Sequence, residues 1–301
     1  MRKKIIVTQG MDLFPDQIER LKTLGEVKIY NDLANTPEEW LDRCKGFDII
    51  CTGKFGLKQK VYELKNVFIS LPFVGIGWLD KEKLEKKNIK VAYSPGCNKD
   101  AVSEWIIGMM INLLRELPRY INIKNLPGHT LPGRTLGLTN KKVCILGAGN
   151  IGSRVGKICE SFGMKVNFFL RGYDLSQSIK DADIVINCLS QNPTTLNLLD
   201  DKFFSTLKNN SHFISVTSPK IYDTEALLNS LGKNIAGAAI DAADIQVGDT
   251  NNPFYKKLLQ YDRVLTTPHI AYNTDVTARV GNDMMIDNIK AYLEGKPINL
   301  L

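Results

Sequence analysis

Residues 142–170 read KVCILGAGNIGSRVGKICESFGMKVNFFL. Its opening run, Val143 to Leu146, is apolar and β-branched at two positions, which predicts a buried strand. Glycines follow at Gly147, Gly149 and Gly152, then an amphipathic segment, then a second strand-like run. A lone glycine triplet is a weak signal, but here strand, spacing, helix and second strand agree. Each glycine then has its own task. Gly147 makes the tight turn, Gly149 lets backbone approach a pyrophosphate, and Gly152 lets helix and strand pack closely. Asn150 and Ile151 open the helix, where unpaired N–H groups and the positive end of the helix dipole favour an anion. The segment is therefore expected to bind a dinucleotide.

Which dinucleotide is read at the end of the second strand, where a carboxylate roughly 20 residues on would take the ribose hydroxyls of NAD. That place holds Leu170 and Arg171. Loss of the carboxylate removes repulsion of a 2′-phosphate, and a guanidinium can pair with it bidentately. NADP is the expected cofactor, with NAD possible if Asp174 takes the ribose instead.

Upstream the same rhythm recurs. Short β-branched runs at 4–8, 27–30, 48–52, 66–70 and 89–93 alternate with amphipathic stretches such as TPEEWLDRC, opened by Thr36 as N-cap and Pro37 at the first helical position. This βα alternation predicts a parallel sheet. The stretch SPGCNKDAVSEWIIGMMINLLREL (94–117) then predicts a longer and mostly apolar helix, followed by a loop at 127–140 with two Pro-Gly pairs. Downstream, strands are expected at 142–147, 165–170, 183–189, 212–216, 235–240 and 263–267, with an amphipathic helix over 275–295.

Composition narrows the function classes. A chain of 301 residues, 44% hydrophobic, can bury one large or two ordinary cores. The net charge is +7, but Lys and Glu are interleaved along the chain, as in DKEKLEKKNIK (80–90), so solvated helix faces are expected and a nucleic-acid partner is not. Six cysteines without a CxxC pair fit reduced thiols in the cytoplasm, and no metal site is expected. No apolar run approaches membrane-spanning length, so no membrane partner is expected either.

Several separated segments carry a more specific signal: VGIGWLD (74–80), YSPGCNKDAVSEW (93–105), LGAGNIG, ADIVINCLSQNPTTLNLL (182–199), IYDTEALL (221–228), IAGAAIDA (235–242) and TTPHIA (266–271). In this order they resemble the D-isomer-specific 2-hydroxyacid dehydrogenases. The resemblance implies an α/β fold of two doubly wound parallel-sheet domains, a flavodoxin-like substrate domain (1–95 plus 274–301) with a Rossmann cofactor domain (96–273) inserted. It implies hydride transfer at C2 of a 2-oxo acid or D-2-hydroxy acid, with His269 exchanging the proton. Imidazole suits that task because it titrates near neutral pH. By position, Lys54 and the backbone of Val74 and Gly75 would receive the substrate, while Val102, Leu189, Thr195, Thr217 and Asp241 would contact the cofactor. A homodimer through the 98–117 helix is also implied.

Two positions depart from the pattern of that family. Its substrate-gripping arginine aligns with Ser218, and its histidine-bonded glutamate aligns with Gln246, two residues beyond Asp244. A serine supplies no charge to a developing alkoxide. Three readings stay open. Lys220 or Lys54 could supply the cation for an ordinary 2-oxo acid, with Asp244 standing in for the glutamate. The substrate could be a carbonyl compound without the usual carboxylate. The chain could bind the dinucleotide as a sensor or scaffold without turnover.

Overall fold

The structure is a computed structural model that describes residues 2–121 and 134–301. Residues 127–133 of the Pro-Gly loop lie outside the described residues. The chain divides into two units, Met1–Asn98 with Asn273–Leu301, and Lys99–Tyr272.

In the first unit the β-branched runs become β1 (Lys4–Val7), β2 (Glu26–Ile29), β3 (Ile49–Cys51), β4 (Val67–Ser70) and β5 (Ile89–Ala92). They form one parallel sheet in the order β2-β1-β3-β4-β5. Parallel neighbours need crossovers, and helices such as Pro15–Leu24 and Pro37–Cys44 supply them. Thr36 caps the second of these, its hydroxyl accepting from the N–H of Glu39 at 3.1 Å. Successive strand side chains point to opposite faces, and both faces are covered. Ile6, Ile50 and Ile69 pack with Trp40 on one side. Ile5, Val7 and Phe68 pack on the other with Met285, Ile286 and Ile289 of the helix Asp275–Leu293. Tyr292 of that helix stacks on Phe68, ring centroids 4.0 Å apart. Each such side chain contributes roughly 1.5–3 kcal/mol of burial. Polar pins fix the helix's register: Asp283 accepts from Gln17 Nε2 at 2.9 Å and pairs with Arg20 at 2.6 Å.

The second unit holds β6 (Lys142–Leu146), β7 (Lys165–Phe169), β8 (Ile184–Asn187), β9 (Ser211–Ser215), β10 (Ile235–Asp241) and β11 (Val264–Thr267). The order is β11-β10-β9-β8-β6-β7, parallel throughout. Alternation again serves two cores: Cys144 and Leu146 point into one, Val143 and Ile145 into the other. The helix Lys99–Leu114 spends Ile106, Met110 and Leu114 on this second core, so much of its apolar content is used inside the unit. The chain leaves β6 for β7 on one side and returns to β8 on the other. In open α/β sheets ligands bind beyond the carboxyl ends of the strands at such a reversal.

Candidate active site

The glycine loop lies at that reversal. Gly147 has φ +94°, and a Cβ there would lie 3.3 Å from the carbonyl oxygen of Cys188, just past β8. At Gly152 a Cβ would lie 2.0 Å from the carbonyl oxygen of Gly147, so only glycine allows the helix Asn150–Ser161 to start so close to the strand. Gly149 differs, because a Cβ there would meet nothing within 4 Å. Its value is open space beside unpaired helix N–H groups, which is what a pyrophosphate requires. Ile151 packs against the core, leaving its backbone as the part that can serve a ligand.

The loop borders a cavity of about 520 Å³ lined by Gly149, Asn150, Lys99, Asp100, Arg154 and Lys157, among others. Arg154 is held by Asp100 at 2.9 Å. Sequence reading missed these cations. The signal was present, since 150, 153, 154 and 157 follow the spacing of one helix face. The residues of this second unit thus fit a dinucleotide: a glycine cradle, a helix start and a basic groove.

At the end of β7, Leu170 and Arg171 are exposed, and Arg171 makes no ion pair among the described residues. Asp174 is committed locally, capping the helix Leu175–Ile179 by accepting from the N–H of Gln177 at 3.0 Å. At the end of β8, the buried amide of Asn187 donates to Thr217 Oγ1 at 2.7 Å and accepts from the N–H of Leu189 at 3.2 Å, fixing both together. Asn187 too was missed from sequence. Thr195 staples its own loop: its hydroxyl donates to the carbonyl of Ser190 at 2.8 Å and accepts from the N–H of Asn192 at 2.9 Å. Val102 is buried in the core.

Asp241 ends β10 and is almost wholly buried. One carboxylate oxygen accepts from Thr267 Oγ1 at 2.6 Å and from the N–H of Ile270 at 2.9 Å; the other accepts from the N–H of Ala271 at 3.1 Å. The carboxylate thereby clamps the segment that carries His269. His269 itself has φ +57°, a left-handed conformation uncommon outside glycine. Its Nδ1 lies 2.9 Å from the carbonyl oxygen of Ile245. A carbonyl can only accept, so Nδ1 carries the proton and Nε2 keeps its lone pair in the neutral ring. The Tyr272 ring meets the imidazole edge-on at 5.5 Å.

The acceptor for His269 is thus a backbone carbonyl, not the side chain of Gln246, which is exposed. Ser218 is buried, and its hydroxyl donates to Asp244. Asp244 also has positive φ, +69°. Lys220 is exposed, and its backbone N–H donates to Ser218 Oγ at 3.2 Å.

In the first unit, the loop after β3 carries Lys54, whose ammonium lies 5.4 Å from the Phe73 ring centroid. The same ammonium would be 3.6 Å from a Cβ at Gly75, so Lys54 and the 73–75 turn share one surface. Among the described residues the N–H groups of Val74 and Gly75 have no hydrogen-bond partner. Trp78 braces the turn, its indole N–H donating to the carbonyl of Gly75 at 2.9 Å.

Comparison with known sequences decides the family. Residues 107–271, more than half of the chain, match the profile of the D-isomer specific 2-hydroxyacid dehydrogenase, NAD binding domain. The chain belongs to the D-isomer specific 2-hydroxyacid dehydrogenase family.

Within this family it is 32% identical over 224 residues to D-3-phosphoglycerate dehydrogenase of Escherichia coli (strain K12), covering 70% of this chain and 54% of that one. The chain thus spans about half the length of the curated relatives of that kind. A hydroxypyruvate reductase of Blautia hydrogenotrophica is 23% identical over 99% of both chains. Among solved structures, an acyclic imino acid reductase in complex with NADPH and D-Arg shares the fold, with TM-score 0.81, 22% identity and 99% of each chain covered. So does a family dehydrogenase from Lactobacillus delbrueckii ssp. bulgaricus in its NAD complexed form, with TM-score 0.77, 23% identity and 99% of each chain covered. Two parallel-sheet α/β units are the architecture this dehydrogenase family member shares with them.

Among the described residues no group of three or more His, Cys, Asp or Glu is placed to hold a metal ion. No helix among them is long and apolar enough to cross a membrane.

Proposed function

We propose that the chain is an NAD(P)-dependent oxidoreductase that reduces a small 2-oxo acid to the D-2-hydroxy acid, or runs the reverse reaction, with His269 as proton donor and acceptor. The observation that carries this reading is the His269 tautomer. With Nδ1 held on Ile245, the protonated ring has one movable proton, on Nε2, and an imidazole poised this way can pass it to an oxygen as negative charge develops there. The dinucleotide, when bound, supplies or takes the hydride. The Gly147–Gly152 loop would hold its pyrophosphate, and Arg171 would prefer a 2′-phosphate, making NADPH the favoured form. Lys54 and the N–H groups of Val74 and Gly75 offer a carboxylate one charge and two hydrogen bonds.

A second reading is favoured by Ser218. Its hydroxyl is engaged by a carboxylate rather than standing beside a cation, which suits a carbonyl substrate lacking the usual α-carboxylate. Free thiols fit the same account of a cytoplasmic enzyme, and burial pushes the thiols of Cys144 and Cys159 up to about 12, which leaves them protonated and unreactive.

The test follows NADPH absorbance with the purified protein against glyoxylate, hydroxypyruvate, phenylpyruvate and several neutral carbonyl compounds, with NADH in parallel. Turnover of a 2-oxo acid that is lost in His269→Asn supports the first reading. Turnover of neutral carbonyl compounds alone moves the assignment to the second. Silence with every substrate, despite measured NADPH binding, leaves a dinucleotide-binding protein without this activity and rejects both.

A further inference from the structure

The contacts behind His269 form a continuous chain. Ser218 Oγ donates to an Asp244 carboxylate oxygen and accepts from the N–H of Lys220, so the one proton of this buried hydroxyl and one of its two lone pairs are used inside the protein. Asp244 is followed directly by Ile245, whose carbonyl accepts from His269 Nδ1 at 2.9 Å. A second tie joins the same two segments, from the N–H of Gly248 to the carbonyl of Pro268 at 2.8 Å.

Asp244 and His269, on either side of this contact, both have left-handed backbone, at φ +69° and +57°. Such conformations persist where surrounding contacts over-determine them, and they cluster at functional sites. The direction in which Ile245 points its carbonyl depends on the Asp244 backbone, which relaxes if nothing holds it. Ser218 supplies the side-chain anchor on Asp244, beside the main-chain tie from Gly248 to Pro268.

We propose that Ser218 and Asp244 are positioning residues for His269: their hydrogen bond holds Asp244, and with it the start of the 244–246 segment, so that the Ile245 carbonyl keeps the proton on Nδ1 and leaves Nε2 for the reacting oxygen. This rests on the reading of His269 as the proton donor given above. It assigns Ser218 a role without substrate contact. A free neutral imidazole shares its proton between both nitrogens, so loss of the fixed acceptor lets that proton occupy Nε2, the nitrogen that must be open to take the reacting proton.

The experiment uses the full chain. Nitrogen-15 NMR of the imidazole reports the His269 tautomer, assigned by its absence in His269→Asn, and steady-state kinetics run beside it. Ser218→Ala and Asp244→Asn are each expected to move the His269 signals from the Nδ1–H pattern towards a mixture. Each should lower kcat on the order of 10²-fold, the scale of a small misplacement of a reacting group. The KM for dinucleotide should stay unchanged, and Ser218→Thr should restore both readouts. Because the residues act as one unit, the double variant should be no worse than either single one.

A wild-type tautomer pattern in Ser218→Ala overturns the proposal, as do additive losses in the double variant. Should Ser218→Ala fail to fold, Asp244→Asn probes the same bond and decides in the same way. Absence of turnover in the wild type would count against the oxidoreductase reading alone, and the NMR pattern would still decide the positioning role.

Discussion

The Asp241 carboxylate holds the Thr267 hydroxyl at 2.6 Å, joining the last residue of β10 to the last residue of β11. With Ile270 and Ala271 also bound to it, this one buried side chain closes the segment on both sides of His269. Asp241→Asn turns one acceptor oxygen into a donor that faces a donor. An unpaired buried polar group costs about 1–3 kcal/mol. At about 2–4 °C per kcal/mol for a domain of this size, thermal unfolding should shift down by about 2–12 °C. A variant melting within a degree of wild type would show that the clamp is not needed.

Two glycines of the phosphate loop should fail differently. Gly152→Ala places a methyl 2.0 Å from a backbone oxygen, so stability and dinucleotide affinity should fall together. Gly149→Ala meets nothing in the protein, so its melting temperature should stay within about 1 °C while affinity falls at least about tenfold. Calorimetric titration with NADPH beside thermal melts separates the two, and equal behaviour of both variants would contradict their assigned tasks.

Arg171→Ala should cost NADPH about 1.5–3 kcal/mol of binding, the range for a charge-assisted contact, and leave NADH nearly unaffected. The ratio of the two dissociation constants is the quantity to measure. If the ratio is unchanged, Arg171 is a solvated residue and the NADP preference is wrong.

His212 gives a pH dependence unrelated to chemistry. It is buried on β9, with no hydrogen-bond partner for Nδ1 among the described residues, and burial lowers its pKa below the ordinary 6.5. As pH falls through 6.5 the unfolded chain takes up a proton that the folded chain refuses, so stability falls with pH there and is unaffected well above it. Melting temperatures measured from pH 7.5 to 5.5 should decline, and His212→Gln should flatten the decline whatever its own stability. An unchanged slope in that variant would assign the dependence to other groups.

The strands and the glycine loop could be read from sequence because each depends on a pattern along one segment: a short continuous apolar run for β6, and three glycines at fixed separations after it. The fine structure around His269 could not. Its partner is the main-chain carbonyl of Ile245, which carries no sequence signature, and Asp244 reaches Ser218 across 26 positions. Asp174 shows the converse. Its place in the chain allowed a ribose contact, but a helix starting one residue later takes the carboxylate as its cap. Arg154 and Lys157 escaped notice because a charged helix face usually means only solvation, and it takes the fold to set them beside Gly149.

The helix Asp275–Leu293 covers one face of a sheet whose last strand ends at Ala92, with the whole second unit encoded between them. A chain emerging from the ribosome therefore completes β1 to β5 long before Met285, Ile286 and Ile289 exist to cover Ile5, Val7 and Phe68. Domains fold as units during synthesis, so the second unit can close first while the first waits with an apolar face open to water. Ribosome-stalled chains ending near residue 270 should consequently bind holdase chaperones through their N-terminal third, and release of the full chain should end that binding.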